Sequence, residues 1–446
     1  MKEEYVVIAN TLFHVLLFVY CLMRYTKWNM STVLAFFYAL SSIASLAYFE
    51  NPLYPLFPSA GGIITIQAGL VLWFIDGCCI LAFSRIDFTR IKQLIHYDKK
   101  LLYNIEKLIV FILAVYLLLA LPLSVKDFVS SSNLSEMRNS QYDATQITAK
   151  YSGALGFIFY KFQLYVYTTP LLLLSIISVR YVFQKRLTTW DKMGIALYLL
   201  AKINIVLCNV SRATIMFATF DLIVLFVLYK DFFAEKVKRK LMLISLSLAI
   251  GISFVFAAIS FSRFGEEKSL IEDVNTMRYA GEANLNFMSL LYPDLKEPFW
   301  GYEDFALFRA ILGQDYTSTA SREGTTVYNY DIKKKYKYYN PTYIFHGTAG
   351  LFLFNFGVFG GIVGAFSFFL FIRRIGKNQS KLPVISIFVI IVCAANILKG
   401  ICYMEIKGLE GNNLILYLIL LSLFLRNSNN RLIVNSNKLN NKYGKK

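Results

Sequence analysis

Apolar runs of about 17 to 25 residues, each long enough to cross the roughly 30 Å hydrocarbon core of a bilayer as a helix, recur along the chain. They lie near residues 5–23, 30–49, 62–84, 107–125, 162–180, 192–209, 213–229, 241–260, 347–372, 382–399 and 412–425. Backbone in hydrocarbon has to satisfy its own hydrogen bonds, so a chain with this pattern is held to membrane-spanning helices. The sequence therefore predicts an all-α polytopic membrane protein with about eleven spans. Composition points the same way: 57% of residues are hydrophobic and 17% charged, against about 25% charged in a soluble domain. The fifth run has the least defined limits. A Gly- and Tyr-rich lead-in from Tyr151 to Thr169, containing Lys161, precedes Pro170, and reads as one kinked helix or as a re-entrant piece followed by a span. The run after Met1-Lys2-Glu3-Glu4 lacks a basic leader and a small-residue cleavage site, so it reads as the first span rather than a signal peptide.

The connectors orient the chain. Arg24 to Lys27, Arg85 to Lys107, Arg180 to Lys192, Lys230 to Lys240, Arg373 to Lys381 and Arg426 to Lys446 together carry 27 basic and 6 acidic residues. The long connector from Phe261 to His346 carries 10 basic and 12 acidic residues. The positive-inside rule puts the first set in the cytoplasm and the long loop outside, with the N-terminus outside and the C-terminus inside. The net charge of +18 is thus mainly topological and does not call for nucleic acid. Within the first set, Ile86 to Lys107 mixes Ile91, Leu94, Ile95, Leu101, Leu102 and Ile105 with bases, a pattern suited to the cytoplasmic membrane surface.

The expected organisation is one integral-membrane domain over residues 1–446, the extracytoplasmic loop 261–346 within it, and a disordered cytoplasmic tail over 427–446. The six cysteines lie in or beside apolar runs without ligand spacing, and three histidines leave little room for a metal centre. No metal site and no cofactor is expected.

Candidate chemistry concentrates at the outer face. The large loop is too long for a simple helix connection and mixes charge with Phe299, Trp300, Tyr302, Phe308, Tyr279, Tyr328 and Tyr330. Such a surface suits a sugar chain, because rings cover the apolar faces of sugars while charged and amide groups bind their hydroxyls. Tyr279, Asn284, Trp300 and Asp304 are the candidate glycan contacts. Arg212 follows Ser211 at the outer boundary, where the topological trend disfavours arginine; a lipid-linked diphosphate would account for it through bidentate guanidinium contacts, as would snorkelling to head groups or an acidic partner. Arg278 precedes Tyr279-Ala280-Gly281-Glu282-Ala283-Asn284-Leu285-Asn286-Phe287, in which Glu282 is the candidate general base, with Glu303 and Asp304 as competitors. Arg322 and the cluster Lys333-Lys334-Lys335-Tyr336-Lys337 form the outer concentration of positive charge, suited to a diphosphate or an anionic glycan. His346, before Gly347 at the next span, can donate to phosphate, transfer a proton or simply cap a helix. Gly357, Gly360, Gly361 and Gly364 put small residues along that span, a pattern that permits close helix packing.

With Ser211-Arg212 opening a span, the stretch from Arg278 to Phe287, and a Gly-rich span from Gly347 to Gly364 after the large outer loop, the chain resembles the integral-membrane repeat-unit polymerases of bacterial O-antigens and capsules, the Wzy type. The resemblance implies a glycosyltransferase-C-like membrane fold in the bacterial cytoplasmic (inner) membrane. It implies transfer of a growing glycan from undecaprenyl diphosphate to the non-reducing end of a new lipid-linked repeat, by metal-independent, inverting chemistry. Arg212, Arg278 and Arg322 would bind diphosphate, with His346 assisting; a chain-length regulator and a flippase would be partners. That family is usually described with about twelve spans and both ends inside, from which a count of eleven departs. Two alternatives remain open: an O-antigen ligase, and a lipid-linked oligosaccharide flippase or transporter. The last should carry ionisable residues within its spans.

Overall fold

The computed structural model describes residues 2–25, 28–51, 64–130, 169–183, 187–209, 212–233, 281–289, 347–402, 408–426 and 431–433, together with 235, 236, 238, 239, 428 and 430. The protein is mostly α-helical. In chain order the helices are α1 Glu3–Arg24, α2 Met30–Phe49, α3 Ile66–Leu81, α4 Lys99–Ser130, α5 Thr169–Phe183, α6 Thr189–Asn209, α7 Arg212–Tyr229, α8 over residues 281–289, α9 Gly347–Lys377, α10 Val384–Lys399 and α11 Gly408–Arg426. The expected span at 241–260 lies outside the described residues, and of 162–180 only the part from Thr169 is described. Elsewhere each expected span overlaps a helix, although residues 62 and 63 lie outside the described residues and Leu382 and Pro383 belong to a short strand.

Five helical stretches among the described residues are long and apolar enough to cross a membrane: Glu3–Arg24, Met30–Phe49, Ile66–Arg90, Lys99–Ser130 and Phe356–Lys377. Their outer surfaces are those of lipid-facing helices. Leu118 on α4 is 76% exposed and Phe359 on α9 is 80% exposed, within continuous rows of bare apolar side chains that water would penalise and acyl chains would not.

Local chemistry sets the helix starts. Asn29 caps α2 by accepting from the Thr32 amide at 2.9 Å, and Thr65 caps α3 by accepting from the Ala68 amide at 3.3 Å. Thr188 and Asp191 form a reciprocal cap on α6: Asp191 Oδ2 accepts from the Thr188 amide and hydroxyl, and the Asp191 amide donates back to Thr188 Oγ1 at 3.2 Å. At 32 residues α4 would rise about 48 Å, well beyond a hydrocarbon core. Its first turns, Lys99 onward, belong to the basic segment that precedes the expected span.

The chain divides into two compact units. The first comprises Met1–Ile86, Lys268–Lys377 and Cys393–Asn412, and the second Asp87–Glu267, Asn378–Val392 and Asn413–Lys446. In the first, α1 packs on α2, and α3 packs on α9. In the second, α4 packs along α6, and α6 on α7.

The second unit also holds a small sheet ordered β2-β1-β3, with β1 Gln93–Ile95, β2 Lys381–Pro383 and β3 Arg431–Ile433. β1 runs parallel to β2, Leu94 opposite Leu382, and antiparallel to β3, Leu94 opposite Leu432. The sheet joins three basic segments that the charge pattern assigns to one side. It also gives structure to residues 431–433, which sequence alone put in a disordered tail; apart from Ser428 and Asn430, the rest of that tail lies outside the described residues. Three-residue strands carry no alternation to read, so this element was invisible beforehand.

The glycines of α9 serve a different purpose from the expected packing between helices. Gly357 sits at φ 68°, ψ −178°, a backbone region open essentially to glycine, and there the helix breaks into two pieces. Beyond the break the chain folds closely over its own preceding turns: a Cβ on Gly361 would lie 3.2 Å from the Phe352 backbone, and one on Gly364 3.2 Å from the Phe352 ring.

Candidate functional site

The polar face of α2 receives the part of the large loop that is described. α8 is buried along its whole length. Its first residue, Gly281, lies so close to the Ser45 backbone that no Cβ fits, and its carbonyl accepts from Ser45 Oγ at 2.7 Å. Asn284 Nδ2 donates to Ser45 Oγ at 3.2 Å and to Ser41 Oγ at 3.4 Å. At the other end of α8, the Met288 carbonyl accepts from the Thr65 amide at 3.3 Å, beside the cap of α3. Short Ser side chains on α2 leave the groove that this glycine-led helix fills. Ser45 stands one turn from the end of α2, so α8 is seated against the last turns of that span.

Two predicted residues lie on α8, on different faces of it. Glu282 is 3% exposed, and its Oε1 accepts from Asn286 Nδ2 at 3.3 Å, one turn along the same helix. Asn284 is also buried, 6% exposed, and turned to α2. A carboxylate fixed in this way is oriented rather than solvated, which suits either a preorganised base or a structural anchor. Arg212 is the first residue of α7, as the sequence reading had it, but only its backbone is described. Arg278, Tyr279, Trp300, Glu303, Asp304, Arg322, the 333–337 lysine cluster and His346 lie outside the described residues.

Sequence reasoning gave no role to two buried ionic groups. In the first unit, His14 near the middle of α1 faces Asp76 on α3, Nε2 to Oδ2 3.3 Å, both side chains almost fully enclosed. His14 Nδ1 donates to the Asn10 carbonyl at 2.9 Å. Trp73 Nε1 donates to Asn10 Oδ1 at 2.9 Å, and the His14 ring stacks 6.1 Å from that of Tyr38 on α2. Tyr38 Oη bonds Thr348 Oγ1 at 2.7 Å and the Ile397 carbonyl at 3.0 Å, while the Thr348 amide donates to the Gly400 carbonyl at 3.1 Å. The start of α9 and the end of α10 thus meet at the level of the middle of α2. The available signal was Asp76 itself, a lone acid in an apolar run of sixteen residues.

In the second unit, Arg180 on α5 pairs with Glu106 on α4 and lies 3.4 Å from Asp191 on α6. Its guanidinium stacks 5.0 Å over the Tyr103 ring, whose centre also lies 4.3 Å from Lys107 Nζ. Glu106 and Asp191 are fully buried, so the group ties three helices by charges sealed from solvent. Its members stand at the ends of two expected cytoplasmic connectors.

Apolar spans, bare lipid-type surfaces and internally paired charges define a multi-pass α-helical membrane protein. No protein-family model, curated protein or solved structure matches the chain.

Proposed function

We propose that the chain is a membrane glycosyltransferase that polymerises undecaprenyl-diphosphate-linked oligosaccharide repeats at the outer face of the cytoplasmic membrane. The observation that carries this reading is α8, the part of the large loop that returns to the end of α2 and holds Glu282 with Asn284 and Asn286 in an enclosed polar seat. In the proposed reaction Glu282 takes the proton of the acceptor sugar hydroxyl as its oxygen attacks the donor anomeric carbon, and the C–O bond to diphosphate breaks. Arginines at the outer boundary, Arg212 with Arg278 and Arg322, offset the charge on the departing diphosphate. Direct displacement inverts the anomeric centre, so retained configuration in the polymer linkage would exclude it.

Purified protein in lipid nanodiscs, supplied with one defined lipid-linked repeat, should yield a ladder of lengthened products. Glu282→Gln should abolish the ladder without lowering the thermal unfolding midpoint. Donor passed once to a lipid A core, with no ladder, would identify a ligase instead.

One observation favours a second reading, translocation of the lipid-linked oligosaccharide without covalent chemistry. Ionisable groups do stand inside the spans: His14, Asp76, Lys202 and Asp221 are buried. In proteoliposomes that reading is met by intact substrate appearing on the opposite leaflet.

A further inference from the structure

The structure assigns His14 and Asp76 as an intramembrane proton-binding site that holds one proton between imidazole Nε2 and carboxyl Oδ2. The hydrogen-bond inventory forces the count. Nδ1 faces the Asn10 carbonyl, which only accepts, so Nδ1 carries a hydrogen in every state. Nε2 and Oδ2 face each other at 3.3 Å, and one hydrogen has to lie between them. It resides on Asp76, giving a neutral acid and a neutral imidazole, or on His14, giving an ion pair; in the transfer one O–H bond breaks as one N–H bond forms.

Both forms have zero net charge. With the proton removed, two lone pairs oppose each other and a carboxylate is left uncompensated among apolar side chains. With a second proton, an imidazolium is left in the same position. Each of those states sets an unpaired charge inside the membrane, a cost of several kcal/mol in protein interiors. Charge neutrality therefore selects a single proton.

Among the described residues, the titratable groups that interact with Asp76 besides His14 are of a kind that carries no charge when protonated. They are Tyr38 on α2 and Cys79 on α3; behind them Cys402 interacts with Tyr38, and Cys393 with Cys79. Lys399 is buried at the C-terminal end of α10, one helical position before the turn that caps Thr348.

The site also has unused capacity, which separates it from a closed structural pair. Asp76 Oδ1 and Asn10 Nδ2 are buried and have no hydrogen-bond partner among the described residues. An acceptor and a donor left open beside the shared proton are the fittings through which a water or hydroxyl exchanges it. A conformational step that exposes the pair to water then becomes proton-dependent, whether the step serves glycan transfer or translocation.

Two spectroscopic readouts on the full chain in lipid count the proton without reference to activity. The ¹⁵N shifts of labelled histidine report whether Nε2 is protonated, and the carboxylic C=O stretch reports whether Asp76 is. His14→Gln removes one signal and Asp76→Asn the other, which assigns them; Asp76→Glu, which keeps the acid and moves its band, replaces Asp76→Asn if that variant fails to fold. Between about pH 5 and pH 8, one partner should carry the proton at every point, never both and never neither. A bare carboxylate beside an unprotonated Nε2, or protonation of both partners, would overturn the assignment.

Discussion

Arg180 illustrates what a buried charge demands of its neighbours. Its guanidinium is shared between Glu106 and Asp191, and Asp191 also caps α6 through Thr188. Removing the cation leaves two enclosed carboxylates facing each other, so Arg180→Ala should cost about 3 to 5 kcal/mol, read as a lowered unfolding midpoint in detergent. The double change of Arg180→Met with Glu106→Gln should recover part of that loss, since the uncompensated charge goes with its partner. The exposed pair Glu235 and Lys238 behaves oppositely. Lys238 donates to Glu235 at 2.7 Å and holds its carboxyl below the usual range. Any stabilisation it gives is present above the ordinary carboxylate pKa and disappears as pH falls through the lowered one. Being open to solvent, the pair should leave the unfolding midpoint unmoved when Glu235 becomes Gln. At this scale the sequence disclosed the unusual residues more readily than their partners. His14 was visible inside the first span, but its partner stands 62 positions away, a pairing that only packing of α1 on α3 creates.

Among elements, α8 and α9 show how small residues convert sequence into shape. Gly281→Ala drives a methyl into the Ser45 backbone, so α8 has to move and its Asn284 bonds to α2 have to break. The expected outcome is loss of the proposed polymerase activity together with protease sensitivity in the large loop, measured on membranes. Gly357→Ala forces a side chain into backbone space reserved for glycine, at a cost on the order of 1 to 3 kcal/mol, read in the same unfolding assay. The apolar periods located these helices well because hydrocarbon tolerates few alternatives. The glycines were legible as a cluster, whereas their service to a kink was not, because composition alone does not distinguish a helix packed on a neighbour from one folded against its own turn. Glu282 was legible as a carboxylate among amides, but not that the helix carrying it would be buried, since α8 is seated through Gly281 and Asn284 on Ser41 and Ser45, which the local motif does not contain.

Across the whole molecule, charge asymmetry between connectors supplies a testable orientation. A cysteine introduced at Lys438 should react with an impermeant maleimide only after the membrane is opened, while one at Arg322 should react in intact cells. Labelling of Lys438 from outside would reverse the assignment. The sheet is the part of the architecture most remote from this kind of inference, since its three strands come from segments far apart in the chain. That remoteness has a consequence for biosynthesis. β1 leaves the ribosome long before β2 and β3, so the sheet closes only after the helices between its strands have been made. Until then β1 carries open backbone edges at the membrane surface, where a nascent-chain binder or protease can inspect it. A chain cut before Arg431 lacks the outer strand, so a closed sheet certifies that every helix between its strands has been made.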